Sequence, residues 1–183
     1  MRSLDERRFP VLQKDDSGLL EEIRNLLTAQ VNANPYSDDS SFAQSIATLP
    51  RGLKAMAATH WLDISLTLDS ITWHFGNFGE PGLVKATEEG LRELGLEELA
   101  DCFAEARDLM VPLLAQRVVG EGDAYELLKK AGLKEQADEI NSRAWALDNL
   151  GPERSLIYES WIRYARQKPE LVFNLSDTPS EGS

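Results

Sequence analysis

Apolar residues recur along this chain at intervals of three and four, and no convincing run alternates apolar with polar positions. The first spacing is that of a helix and the second that of a strand, so the pattern predicts an all-α protein. The first helix reads "GLLEEIRNLLTAQV", with Ser17 placed to cap it, and stops before the turn-rich "NANPYSDDSS". A short helical piece, "SFAQSIATL", ends at Pro50, and a long helix is expected from Gly52 to Phe75. Pro81 suits the first turn of the next helix, whose "LVKATEEGLREL" closes at Gly95. "LEELADCFAEARDLMVPLLAQRVV" forms another long helix, bent at Pro112 and ended by "GEG". Three more helical segments follow: "DAYELLKKAG", "EQADEINSRAWALDNLG" and "PERSLIYESWIRYARQK". No repeat or linker interrupts them, which predicts one compact multi-helix domain over residues 17–175. An N-terminal arm, residues 1–16, precedes it, and a small, polar, disordered tail, residues 176–183, follows.

The segment from Gly52 to Phe75 sets the architecture. At roughly 100° per residue, Leu53, Ala57, Trp61, Ile64, Leu68, Ile71 and Phe75 share one face, while Leu62, Leu66 and Trp73 fall nearly opposite. A helix with two apolar faces is covered on two sides and belongs in the middle of the bundle. The glycine-rich "ITWHFGNFGEPG" then reads as the end of this helix and a corner, anchored by Phe75 and Phe78. Gly76 or Asn77 is the expected left-handed residue there.

Charge changes the picture. The 183 residues carry 31 acidic and 19 basic side chains, a formal net charge of −12. Such a chain repels nucleic acid and anionic membrane and attracts basic surfaces. No apolar run of about 18 residues exists to span a bilayer. The opening "MRSLDERRFPVLQKDD" lacks a signal peptide's apolar core, so a cytosolic protein is expected. Cys102 is the single cysteine, which excludes an internal disulfide or a cysteine-rich metal cluster, and it reads as a small buried apolar residue.

Two patterns could carry function. His60, Asp63, Thr67, Ser70 and His74 form a polar lane between the two apolar faces. His60 and Asp63, three apart, could touch and fix a general base. His60 and His74, roughly 21 Å apart along one axis, cannot share a metal or a proton. No metal, nucleophile or phosphate-loop motif accompanies them, so no cofactor is expected. The other pattern is acidic: eight carboxylates and two arginines lie between Glu88 and Asp108. On the helix from Leu96, Glu97, Asp101, Glu105 and Asp108 fall within an arc of roughly 80°, with Glu98 at its margin and Glu93 flanking. Duplex DNA also presents ordered negative rows, so such a ridge could compete for a basic DNA-binding groove.

A family resemblance enters on these residues. "LDSITWHFGNFGEPGLVKATEEGLRELGLEELADCFAEARDLM" resembles the bacterial DMP-nineteen-like domain, typified by a DNA-mimic protein. "IRYARQKPELVF", with Tyr164, Pro169 and Phe173, resembles its C-terminal helix, so the likeness covers roughly Lys54 to Phe173. The resemblance implies an all-helical, acidic, non-enzymatic protein that forms a dimer. The typifying member presents a DNA-like charged surface to a DNA-binding transcription factor, and what carries over to this chain is the general idea of an acidic surface.

The expected function is therefore an acidic interaction protein, acting as a DNA mimic on a basic partner and binding neither nucleic acid nor membrane itself. Its expected contact residues are Glu93, Glu97, Glu98, Asp101, Glu105 and Asp108. Two other readings stay open. One is an immunity-type or adaptor protein for a specific toxin or enzyme; the other is an enzyme using His60, Asp63 and His74.

Overall fold

Six of the other helices pack on one segment, α4, which runs from Arg51 to Leu68. The structure is a computed structural model that describes residues 9–116, 123–148, 150 and 154–173. Its described residues form ten α-helices and no strand. Before α4 come α1 (Phe9–Leu12), α2 (Asp16–Gln30) and α3 (Ser41–Ala47). After it come α5 (Ile71–Asn77), α6 (Pro81–Glu93), α7 (Glu97–Ala115), α8 (Ala124–Lys130), α9 (Lys134–Asp148) and α10 (Leu156–Gln167). A 3-10 turn, Pro169–Leu171, closes the described chain.

α4 packs against α2, α3, α5, α6, α9 and α10, and its two apolar faces feed two clusters. Leu53, Met56, Leu62 and Leu66 join the main core with Phe75, Phe103 and Trp161. Ala57 and Ala58 turn to a smaller cluster with Phe42, Ile46, Phe78 and Leu83. The expectation of a central, two-face-buried helix is met. α6 lies close against α4 because Gly90 has no side chain: a Cβ there would stand 3.0 Å from the Ala55 carbonyl oxygen. α10 is tied to α4 by the buried Trp161 indole, which donates to Thr59 Oγ1 at 3.0 Å.

Several local expectations need correction. The long helix does not run unbroken to Phe75. It stops at Leu68, and Ser70 restarts the chain as α5, its hydroxyl accepting from the Trp73 amide at 3.2 Å. Ser70 is extended and serves as an N-cap, a role serine prefers to a helix interior. The break turns Leu68, expected on the buried face, to 69% exposure. Ser17 does not cap α2; Asp15 does, accepting from the Gly18 amide at 3.0 Å.

Neither Gly76 nor Asn77 adopts a left-handed backbone. α5 instead stops on Phe78, with the Asn77 side-chain amide donating to the Trp73 carbonyl. The glycine that this corner requires is Gly79, where a Cβ would lie 2.4 Å from the Phe75 carbonyl oxygen. Glu80 then caps α6, accepting from the amides of Gly82 and Leu83 at 2.9 and 2.7 Å and from the Ser40 hydroxyl at 2.8 Å. Pro81 opens α6, and Gly95, at φ +73°, ends the turn after it, both as the sequence predicts.

Part of the expected arm is structured. Residues 9–12 form α1, and Phe9 is buried against Phe173 with ring centroids 5.6 Å apart. Residues 1–8, the "GEG" stop and the tail from 176 lie outside the described residues.

Candidate functional site

α7 is amphipathic in the way the acidic pattern predicts. Leu99, Cys102, Phe103, Ala106 and Met110 are buried on its inner side. The side chains of Glu97, Asp101, Glu105 and Asp108 are 63%, 65%, 50% and 70% exposed, and Glu98 is exposed beside them. The acidic residues therefore form an outward ridge, roughly 16 Å from Glu97 to Asp108 at the helical rise. Pro112, the one proline inside α7, lies beyond the ridge.

The ridge is not a bare row of charges. Arg92, from α6, donates to Glu97 at 2.8 Å and to Asp101 at 3.0 Å. Arg107 binds Asp108, with contacts of 2.9 and 2.8 Å, and also reaches Glu88 on α6. Arg143, from α9, forks onto Glu105. Each carboxylate of the four-residue stripe thus touches a guanidinium, and only Glu98 of the ridge has no ion pair among the described residues. The carboxylates hold the Arg92, Arg107 and Arg143 guanidinium groups even more firmly in the charged form. These arginine side chains are 42%, 34% and 45% exposed, less than the ridge acids they touch. They brace the ridge from its flanks, and the acids remain outermost.

Glu93 does not join the ridge. Its side chain is 10% exposed, pairs with Arg51 of α4 and accepts from the Tyr164 hydroxyl of α10. That placement makes it a link between α4, α6 and α10, so the expectation that it flanks a partner-binding face is corrected.

The polar lane of α4 and α5 divides. His74 is fully buried among Phe75, Phe78 and Phe103. Its Nδ1 lies 2.9 Å from Ser65 Oγ, and Ser65 donates its own proton to the Trp61 carbonyl. Nδ1 must therefore carry a hydrogen, which leaves Nε2 bare and without a partner. Burial lowers the His74 pKa to about 3. His74 is a neutral core residue.

His60 and Asp63 do not bond to one another; they converge on Tyr158 of α10. The Tyr158 hydroxyl shares a 3.0 Å hydrogen bond with His60 Nδ1, and the Arg24 guanidinium lies 4.6 Å over the Tyr158 ring. Asp63 accepts from the Ser155 hydroxyl at the start of α10. Asp63, Thr67 and Tyr158 line a cleft of about 1130 Å³ between α2, α4 and α10. Its charges balance: Asp16 pairs with Arg166, and Arg154 pairs with Glu159. Burial raises the Asp63 pKa, and burial together with the Asp63 charge pushes Tyr158 up to about 12. Burial, then the Arg24 charge, lowers His60. A phenol made harder to ionise is the reverse of an activated nucleophile. Asp63 and Asp148, which accepts from the Leu156 amide at 2.8 Å, both serve the first turn of α10.

A family model described as DMP19-like protein matches residues 47–167, from the end of α3 to the end of α10. The chain belongs to the DMP19-like family. No curated protein and no solved structure matches it. The family's span takes in α4, the α6–α7 pair and α10, and so contains both the ridge and the helix that carries Tyr158.

In this DMP19-like chain, no group of three or more His, Cys, Asp or Glu side chains among the described residues could hold a metal ion. No helix among them is long and apolar enough to cross a membrane. Cys102 is buried, and its thiol is pushed up by that burial. The residues that sequence reasoning missed are the braces: Arg92, Arg107, Arg143 and, on the other side, Tyr158. Arg143 is 38 positions from Glu105 and Tyr158 is 98 from His60, distances over which no helical spacing rule operates.

Proposed function

We propose that this chain is a non-enzymatic interaction protein that binds a basic, DNA-binding protein through the exposed carboxylates of α7. The supporting observation is the ridge itself: Glu97, Glu98, Asp101, Glu105 and Asp108 are exposed on one regular helix of a chain with net charge −12. Glu93 has no part in it. Counting carboxylates alone, at one per 5 Å or so, the ridge has about a third of the axial density of charges on duplex DNA, and its three arginines lower the net charge further. It offers a docking strip for a few lysine or arginine side chains, and its resemblance to DNA is that of a charged row rather than a full-length copy.

The arginine braces set the terms of binding. Exposed ion pairs are weak and exchange readily, so a partner's cations can replace Arg92, Arg107 and Arg143 at the outer oxygens. Part of the attraction is lost in that exchange, and the overall charge steers the encounter while local contacts select the partner. The test is capture of binding proteins by the immobilised chain and by a variant with Glu97, Asp101, Glu105 and Asp108 replaced by Gln or Asn. The variant keeps its helical spectrum and its melting temperature but loses the basic partner. Equal capture by both proteins refutes the reading and favours a shape-driven adaptor.

A further inference from the structure

A groove between α2, α3 and α4 is chemically unlike the rest of this acidic surface. Leu27, Phe42 and Trp61 give it apolar walls, and its volume is about 370 Å³, within the range of small-molecule sites. Its polar lining is Arg24, Thr28 and His60, and no carboxylate lines it. In a chain whose acids outnumber its bases 31 to 19, that is a local reversal of charge.

Arg24 gives the reversal its direction. The guanidinium rests over the Tyr158 ring, hydrogen-bonds the Tyr158 side chain and feels the Asp63 charge without a direct ion-pair contact to it. Tyr158 in turn holds His60 Nδ1, so the rim of the groove is preorganised from below by one phenol. The edge of Trp61 is covered by Phe42 and Tyr36, with centroids 6.1 Å away in each case, which fixes the apolar wall. Asp63 reaches Tyr158 from the cleft behind and offsets part of the Arg24 charge, but Arg24 lines the groove and no carboxylate does, so an anion seated there meets the guanidinium first.

We propose that this groove binds a small apolar carboxylate, its hydrocarbon body against Trp61, Phe42 and Leu27 and its carboxylate on Arg24. No residue of the α7 ridge lines this groove, so the site does not depend on the ridge. The test is titration of the full chain with octanoate and with neutral octanamide, followed through the Trp61 indole signal by NMR. Octanoate shifts that signal saturably, and octanamide binds more weakly. Arg24→Gln weakens octanoate roughly two- to fivefold, the scale of one exposed charged contact, and leaves octanamide unchanged. Thr28→Phe, substituted at the exposed rim, weakens both probes by filling the groove. No saturable shift at Trp61, equal binding of the two probes, or octanoate binding indifferent to both substitutions overturns the proposal.

Discussion

Arg143 of α9 forks onto Glu105 of α7, with Nη1 3.2 Å from Oε1. This pair states the character of the ridge: its acids are exposed to a partner but braced by the protein's own cations. If binding requires the brace to give way, Arg143→Gln and Arg92→Gln strengthen capture of a basic partner at low salt. Thermal melting should hardly move, because exposed ion pairs contribute little to stability. Capture assays and melting curves on the same two variants check both halves.

The link between α4 and α10 is a different kind of contact. Trp161 and Thr59 are fully buried, and the indole N–H has the Thr59 hydroxyl as its acceptor. Thr59→Ala leaves that donor unpaired in the core and should cost about 1–3 kcal/mol. Trp161→Phe removes the donor itself, so the double variant should be more stable than the sum of the two single losses predicts. Urea denaturation of the four proteins measures the coupling.

Gly90 tests the packing of α6 on α4. A methyl group there meets the Ala55 oxygen at 3.0 Å, the Ala55 Cα at 3.2 Å and the Thr59 Cγ2 at 3.2 Å. Two of those contacts are with backbone, which cannot step aside cheaply. Gly90→Ala should therefore lose about 1–3 kcal/mol in denaturant unfolding despite alanine's better helix propensity.

His74 gives the fold an acid-side liability. Its pKa is about 3 when folded against an ordinary value of 6.5, so the unfolded chain takes up the proton first. The stability this group permits is complete above pH 6.5 and is lost as pH falls from there toward 3. The slope contributed is roughly 1.4 kcal/mol per pH unit inside that window. His74→Asn keeps an N–H for Ser65 but cannot titrate. It should be less stable than the parent at pH 7 and lose less stability between pH 6 and 4, as followed by denaturant unfolding at each pH.

The parts of the fold that were legible are those written by local rules. Pro81 and Gly95 mark the limits of the α6 segment because their backbone restrictions act within one or two residues. The two apolar faces of α4 could be read because burial repeats with the helical period. The break at Ser70 was hidden by the same regularity: Leu68, Ile71 and Phe75 continue the period, but a serine hydroxyl satisfied a helix start instead. At the candidate site, the exposure of Glu97, Asp101, Glu105 and Asp108 followed from one helix alone. Their arginine partners did not, because Arg92 approaches across the Gly95 turn and Arg143 from α9, through tertiary packing. Glu93 was misplaced for the same reason, since its partners Arg51 and Tyr164 come from α4 and α10.

The central claim is electrostatic recognition at α7, and the salt dependence of binding tests it most directly. A captured partner is titrated with the parent chain and with the fourfold Gln/Asn variant across about 0.05–0.3 M salt, a range over which the Debye length falls from about 14 Å, near the length of the ridge, to about 6 Å. The account predicts that affinity for the parent falls steeply with added salt, and that the variant binds weakly with a shallower slope. Affinity that ignores ionic strength and survives the four substitutions would contradict it.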